Sequence, residues 1–437
     1  MKKLLHIFQF EWMALRRSNT LKILLLVTLG AGIYGIYFGK FEIDKQNTRI
    51  THVQQHEIQQ FDSLLHWATL DTTLVRNKEK FERALSPVGV GWNKHFTYYL
   101  ANDPSPLAGL CLGQRDLFPS YYGFDVSSLH KQIYVGELAN PMKLLTGNFD
   151  LSYVYVFLLP LLIVALFYNL YAAEKEGGTL LLLQSQPVPL FFTLASRGFL
   201  RFAVVIVLAT LLLILAFLLQ GISFTSHMGL FMQWLLLIYG YCFLWALIMA
   251  GIVWLRKSAA LSAMMGLGVW LILTLITPAM LNLFVLADQP LPKRSEVIHS
   301  IRALNDRNWK SPKSFVFDQF YPEHPQYKQG DTTDFHKWYY ASFTLLDNQA
   351  KTLNEQFEEQ VVASNKLLNQ WQWLAPAAAV HERLSSMAQT DRNSHLAFLQ
   401  KVESFHQGLK DVYYPRIFAN EAFDYDDLQE LRSRLNL

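Results

Sequence analysis

Residues Asp150 to Pro189 read DLSYVYVFLLPLLIVALFYNLYAAEKEGGTLLLLQSQPVP. From Leu151 to Ala173 no residue carries a charge. A helix needs about 20 such residues to cross the hydrocarbon of a bilayer. Glu174-Lys175-Glu176-Gly177-Gly178-Thr179 follows at once, then four leucines and a segment broken by Pro187 and Pro189. The second part is too charged to remain in lipid and too apolar to leave its surface. A chain with this alternation is an α-helical integral membrane protein.

The totals agree. The 437 residues are 51% hydrophobic and only 17% charged, with mean hydropathy +0.15. Soluble domains carry about 25% charged residues. A formal net charge of +3 with no basic stripe of interleaved aromatics excludes nucleic acid as a partner. Two cysteines make no disulfide framework, and Cys111 and Cys242 are expected to be small buried hydrophobes.

Working outward, apolar segments at 21–38, 151–173, 199–219, 230–255 and 259–286 give about five transmembrane helices, the last kinked near Pro278. Residues 1–20 read as an interfacial helix with Leu5, Phe8, Trp12 and Leu15 on one face. Lys2 and Lys3 imitate the start of a secretory signal. The apolar run begins only after Arg16, Arg17 and Lys22, with no small-residue cleavage site, so a retained anchor is expected. Gly35 and Gly39 form a small-xxx-small pair, a helix-packing notch or simply a lipid-facing one. Lys/Arg clusters before the first span, between the second and third, and between the fourth and fifth fall on one side. That side is the cytoplasmic one, which places the N-terminus in the cytoplasm and two mainly helical extracytoplasmic domains, 39–150 and 287–437, on the far side of the membrane.

Within these domains, residues to about Leu85 read as one or two long helices, and 104–123 as a loop-rich stretch of Pro, Gly and aromatics. Tyr339, Phe343, Leu346, Ala350, Leu353, Phe357 and Val361 alternate steps of four and three, an apolar seam on one long helix. Ser311 to Gly330, with Pro312, Pro322 and Pro325, is expected to be a loop before it, and Gln370 to Pro376 a break after it.

Chemistry-bearing patterns are few. No Walker A motif exists: Gly35 to Lys40 lacks the first glycine, and Phe41 stands where Ser or Thr is required. No ionisable residue lies at depth in a span, which disfavours ion-coupled carriers. Asn169, Thr210 and Thr274 are polar residues there, suited to hydrogen bonds between helices. His52 and His56 are four apart but fit a solvated helix face better than a metal pair. The chain is therefore expected to be no enzyme by itself, with no metal and no cofactor of its own. The segment 174–198 stands out. Glu174 and Glu176 bracket Lys175, Gly177 and Gly178 permit a reversal, and Thr179 can cap a new helix that Leu180 to Leu183 would seat in the headgroup layer and Pro187 and Pro189 would end.

At these residues the chain resembles the permease subunits of type-2 ABC transporters, whose loop between spans two and three reads Glu-x-Glu-x-Gly-Thr-Leu before a proline-containing segment. Glu174, Glu176, Gly178, Thr179, Leu180 and Pro187 match it in place. It is similar to the bacterial branch with a large extracytoplasmic domain of unknown function after the first span. That likeness is carried by Asn102-Asp103-Pro104-Ser105-Pro106-Leu107-Ala108, by Leu112-Gly113-Gln114-Arg115-Asp116-Leu117-Phe118-Pro119, by Asn140-Pro141, and by Leu144-Leu145-Thr146-Gly147-Asn148-Phe149-Asp150. The stretch around Pro376 and from Thr390-Asp391 to Phe405 is also similar. The resemblance implies that Glu174, Lys175, Glu176, Gly177, Gly178 and Thr179 form a coupling helix against a separate ABC ATP-binding subunit, which would hold ATP and Mg. It implies a complex with a second permease copy or a related permease. A periplasmic protein is a further expected partner. Such permeases have six spans where this chain shows five, so a mechanical transducer that moves its outer domains without passing a substrate is the alternative function.

Overall fold

A computed structural model describes residues 2–91, 96–133, 148–288, 294–328 and 333–434. Asn140, Pro141, Leu144, Leu145, Thr146, Gly147 and Gly330 lie outside them. Helix α1 (Lys2–Arg17) leads into α2 (Asn19–Ala68), where the Ser18 hydroxyl accepts the Leu21 N–H at 3.3 Å and starts the helix. The first span was expected to end at Phe38, but α2 runs unbroken for 50 residues, roughly 75 Å at 1.5 Å per residue. Its distal half stays helical because Ile50, Val53, Phe61, Leu64 and Leu65 recur at helical spacing and are buried, the last three in a second core beyond the apolar stretch. Gly35 and Gly39 face the chain's own backbone. A Cβ on Gly39 would stand 1.8 Å from the Gly109 carbonyl oxygen, and one on Gly35 would stand 2.8 Å from that of Asp150. The small pair is a notch for close approach within one chain.

After α3 (Val75–Leu85), α4 (Pro87–Gly91), the antiparallel strands β1 (Tyr98–Ala101) and β2 (Tyr121–Phe124), and α5 (Leu129–Ile133), the chain returns to the spans. The second span is α6 (Leu151–Tyr153), a π turn (Val154–Leu158) and α7 (Leu159–Phe167). Pro160 lacks an N–H and its ring crowds the carbonyl four residues back. The widened turn absorbs that conflict, and neighbouring helices take up the carbonyls. Tyr241 donates to the Val156 oxygen at 2.8 Å and the Trp270 indole to the Phe157 oxygen at 3.2 Å. The span expected to reach Ala173 breaks after Phe167 into turns, then resumes as α8 (Ala172–Glu176). Beyond α9 (Leu180–Gln184), the third span is α10 (Leu190–Gln220), which begins nine residues before its expected start, and the fourth is α11 (Phe224–Trp254). The fifth is α12 (Ala259–Leu271), a second π turn (Ile272–Ile276) and α13 (Thr277–Asp288). Pro278 therefore produces a π turn ahead of itself rather than an end to the helix. All five helices are long and apolar enough to cross a membrane.

The remaining helices are α14 (Arg294–Lys310), α15 (Lys313–Glu323), α16 (Phe335–Trp371), α17 (Pro376–Met387), α18 (Arg392–Ala419) and α19 (Tyr425–Arg434). The expected loop over 311–330 is largely helix. Pro322 sits at the end of α15, and Val316, Phe317 and Phe320 are its buried face. The α16 seam is real: Tyr339, Phe343, Leu346, Ala350 and Val361 are buried. The sequence reading placed 39–150 and 287–437 in two domains; their apolar side chains line a single core, with Phe61, Phe96, Tyr98 and Phe124 from the first segment against Tyr340, Leu346, Tyr413 and Phe418 from the second. Helix α17 leaves that core and packs on α11 and both π turns, burying Ala377, Val380 and Leu384 among the spans.

At the centre of this shared core Asp347 accepts from the Ser128 hydroxyl (2.7 Å), the Leu129 and His130 N–H groups (3.3 and 3.2 Å) and Lys410 (2.7 Å). Burial opposes its charge, but Lys410, His130 and His406 carry the carboxyl down to about 2. Burial holds His406 down at about 3 and His395 at about 4, and lowers His130 and His324. Each such histidine stays neutral when folded and takes a proton when unfolded. Its stability contribution is present above the ordinary value of 6.5 and is lost as pH falls toward the folded value. Glu57, on the part of α2 beyond the apolar stretch, is raised by burial to about 7 and acts in the opposite sense, favouring the fold as pH falls from 7 to 4.5. Burial also raises Asp150 and Glu382, and the four lowered histidines outnumber these three carboxyls, so thermal stability is expected to fall between pH 6.5 and 4.5. His406→Gln should make that slope shallower by about 1.4 kcal/mol per pH unit. Melting curves of the two proteins across that window check this, and identical slopes would contradict it.

Candidate coupling site

The polar run after the second span is a reversal fixed by its own side chains. Gly178 takes φ +71°, a left-handed conformation that costs other residues about 1–2 kcal/mol. Gly177, at φ −79°, closes α8 with its N–H on the Ala173 oxygen at 2.9 Å. The Thr179 N–H returns to the Glu174 oxygen at 3.0 Å, and the Thr179 hydroxyl binds the Glu174 carboxylate. Thr179 was expected to cap α9. Its side chain makes no cap bond there and latches the reversal shut instead. Helix α9 is five residues long and ends at Gln184, before Pro187, while Pro189 stands at the start of α10. The seated helix expected over this stretch is thus one turn. Leu181 and Leu182 are 77% and 66% exposed.

The hairpin is anchored through Glu174. Its carboxylate meets the Arg197 guanidinium at 2.6 Å, and Arg197 approaches Glu11 of α1 at 3.5 Å. One turn further along α10, Arg201 meets Glu11 at 2.7 Å, Asn169 at 2.8 Å and the Leu166 carbonyl. The last contact explains the broken second span: the carbonyl freed where α7 ends is taken by a cation that also grips the turn residue Asn169. Glu11 is 5% exposed, a buried carboxylate between two arginines. The Phe8 ring meets Phe199 edge-on at 6.2 Å beside it. Helix α1 therefore docks on α10 through Phe8, Glu11 and Leu15, while Trp12, expected on that face, is exposed. The side chain of Leu5 lies outside the described residues. Glu176 ties the other side of the hairpin, accepting the Ala259 N–H at 2.8 Å at the start of the fifth span.

Of the six candidate residues, Glu174 and Thr179 bond each other, Glu176 reaches the fifth span, Gly177 and Gly178 make the turn, and Lys175 is exposed. Glu11, Arg197, Arg201 and Asn169 complete the site. The two arginines are visible in sequence as basic flanks and Asn169 as a polar span residue. Glu11 gives no local signal, because its partner is 190 residues away.

The molecule is a helical chain with five helices long and apolar enough to cross a membrane, a locked polar hairpin between the second and third of them, and a second core built from helices and strands outside them. Residues 294–433 match a family model described as a domain of unknown function (DUF3526). No curated protein and no solved structure matches the chain.

Proposed function

We propose that this chain is the transmembrane permease subunit of an ATP-driven ABC transporter, powered by a separate ATP-binding subunit that docks on the 174–179 hairpin at the cytoplasmic face. The observation that carries this reading is a hairpin gripped from behind and bare in front. Glu174, through Arg197 and Glu11, and Glu176, through Ala259, join it to three elements at once, while Lys175, Leu181 and Leu182 face outward. A push on that front moves α1, α10 and the fifth span together. The likeness of Glu174, Glu176, Gly178, Thr179, Leu180 and Pro187 to the permease loop supports the same assignment. A second permease, identical or related, would complete the assembly in the bacterial inner membrane.

The alternative is a mechanical transducer that moves its periplasmic part without passing a substrate. Helix α2 favours it, since one unbroken 50-residue rod joins the spans to the outer core. In either case the chain holds no ATP; hydrolysis and Mg belong to the partner. The test is Glu174→Ala with Glu176→Ala in the purified complex. ATP hydrolysis linked to output is expected to fall about tenfold, the equivalent of about 1.4 kcal/mol of lost contact. Unchanged hydrolysis in an intact complex would contradict the assignment. Cross-linking α2 to the spans separates the two modes: a transducer loses output while hydrolysis continues.

A further inference from the structure

Between the fourth span and α17 lies an open cavity of about 1030 Å³. One wall is the apolar face of α11 from Leu230 to Leu244; the other is α17 with Trp373 at its rim. Arg383 is the only charged residue among those lining it, and no carboxylate lines it. Among the described residues Arg383 forms no ion pair. We propose that this groove holds one anionic glycerophospholipid of the surrounding leaflet, with its phosphate on Arg383 and one acyl chain along α11. Three features select that occupant. Leu230 to Leu244 covers about 21 Å of helix, enough for the roughly 15 Å of hydrocarbon in one leaflet. Gln233, Ser386 and Gln389 line the same cavity as the lone cation and add uncharged polar groups for a headgroup. Trp373, which lines the same cavity, is 71% exposed, an amphipathic ring of the kind that settles at headgroup depth. A zwitterionic headgroup would bring an ammonium to a site with no acid to receive it.

The groove lies at the opposite end of the spans from the hairpin, so the proposal needs only that the spans lie in a bilayer and does not depend on any ATP-binding partner. The experiment is native mass spectrometry of the full-length chain in detergent, exchanged into equal amounts of phosphatidylglycerol and phosphatidylcholine. Phosphatidylglycerol is expected to be retained about fivefold over phosphatidylcholine. Arg383→Gln should bring the ratio to one, and Arg383→Lys should keep most of it. A Cβ on Gly240 meets nothing within 4 Å, so Gly240→Leu can fill the wall without a clash. It should displace both lipids while leaving the melting temperature unchanged. Arg256→Gln, at the mouth of another apolar pocket, should change nothing. A ratio of one in the unmodified chain, a ratio insensitive to Arg383→Gln, or displacement of the lipid by free glycerol phosphate at equal concentration would overturn the proposal.

Discussion

Arg201→Ala is expected to cost about 3–5 kcal/mol of stability and to release α1 from α10. Arg201 is 14% exposed and Glu11 only 5%, so the pair is shielded from water. Truncating the arginine leaves the Glu11 carboxylate with Arg197 alone, at 3.5 Å, and strips the Leu166 carbonyl and Asn169 of their donor. An unmet buried charge is worse than no charge, so Glu11→Gln combined with Arg201→Ala should cost less than the two single changes summed. Denaturation in detergent measures the loss. Limited proteolysis within 2–17 measures the release of α1, because a docked helix resists cleavage. A loss below about 1 kcal/mol, the scale of an exposed pair, would show that this lock does not hold the helices together.

Lys410→Met is expected to have an effect of similar size in the outer core. Asp347 would keep its hydrogen bonds to Ser128, Leu129 and His130 but lose the cation at 2.7 Å. The loss should again be about 3–5 kcal/mol at neutral pH, and Asp347→Asn added to Lys410→Met should recover part of it. The pH dependence should change sign. In the parent protein the Asp347 carboxyl lies at about 2 against an ordinary 3.8, so its contribution is present above 3.8 and lost as pH falls through 2. Without Lys410, burial dominates and the folded value rises above 3.8. Stability from this residue is then present below 3.8 and lost as pH rises. Chemical denaturation of parent and variant at pH 4 and pH 7 checks this: the loss relative to the parent should be larger at pH 7, and an equal or smaller loss at pH 7 would contradict it.

What the sequence disclosed follows the range of the forces involved. Five apolar runs were legible because lipid demands about 20 such residues in succession. The α16 seam was legible because its period repeats within one helix. Gly178 stood out because few other residues accept its conformation. Contacts set by distant partners were not legible. Glu11 is one; the common core of 39–150 and 287–437 is another, since Tyr98 and Tyr413 meet across 315 residues. The start of α10 at Leu190 was hidden for a different reason: the polar Ser196, Arg197 and Arg201 interrupt its hydropathy but not its helix. The second π turn was half legible, since Pro278 marks where the ladder must change; the first was not, since the sequence reading ran 151–173 as one unbroken span across Pro160, and Tyr241 and Trp270, which take up the freed carbonyls, lie far along the chain.

The proposed permease role requires the 174–179 hairpin to relay work done by a separate motor protein. The most direct measurement places a photo-cross-linking residue at Leu182, at the bare front of the hairpin, in cells with intact membranes. A second copy of the experiment places it at Val362, exposed on α16 in the outer core. The account predicts an adduct with an ATP-hydrolysing subunit from position 182 and none from 362. Adducts from position 182 with lipid alone, or with no nucleotide-hydrolysing protein among them, would contradict it.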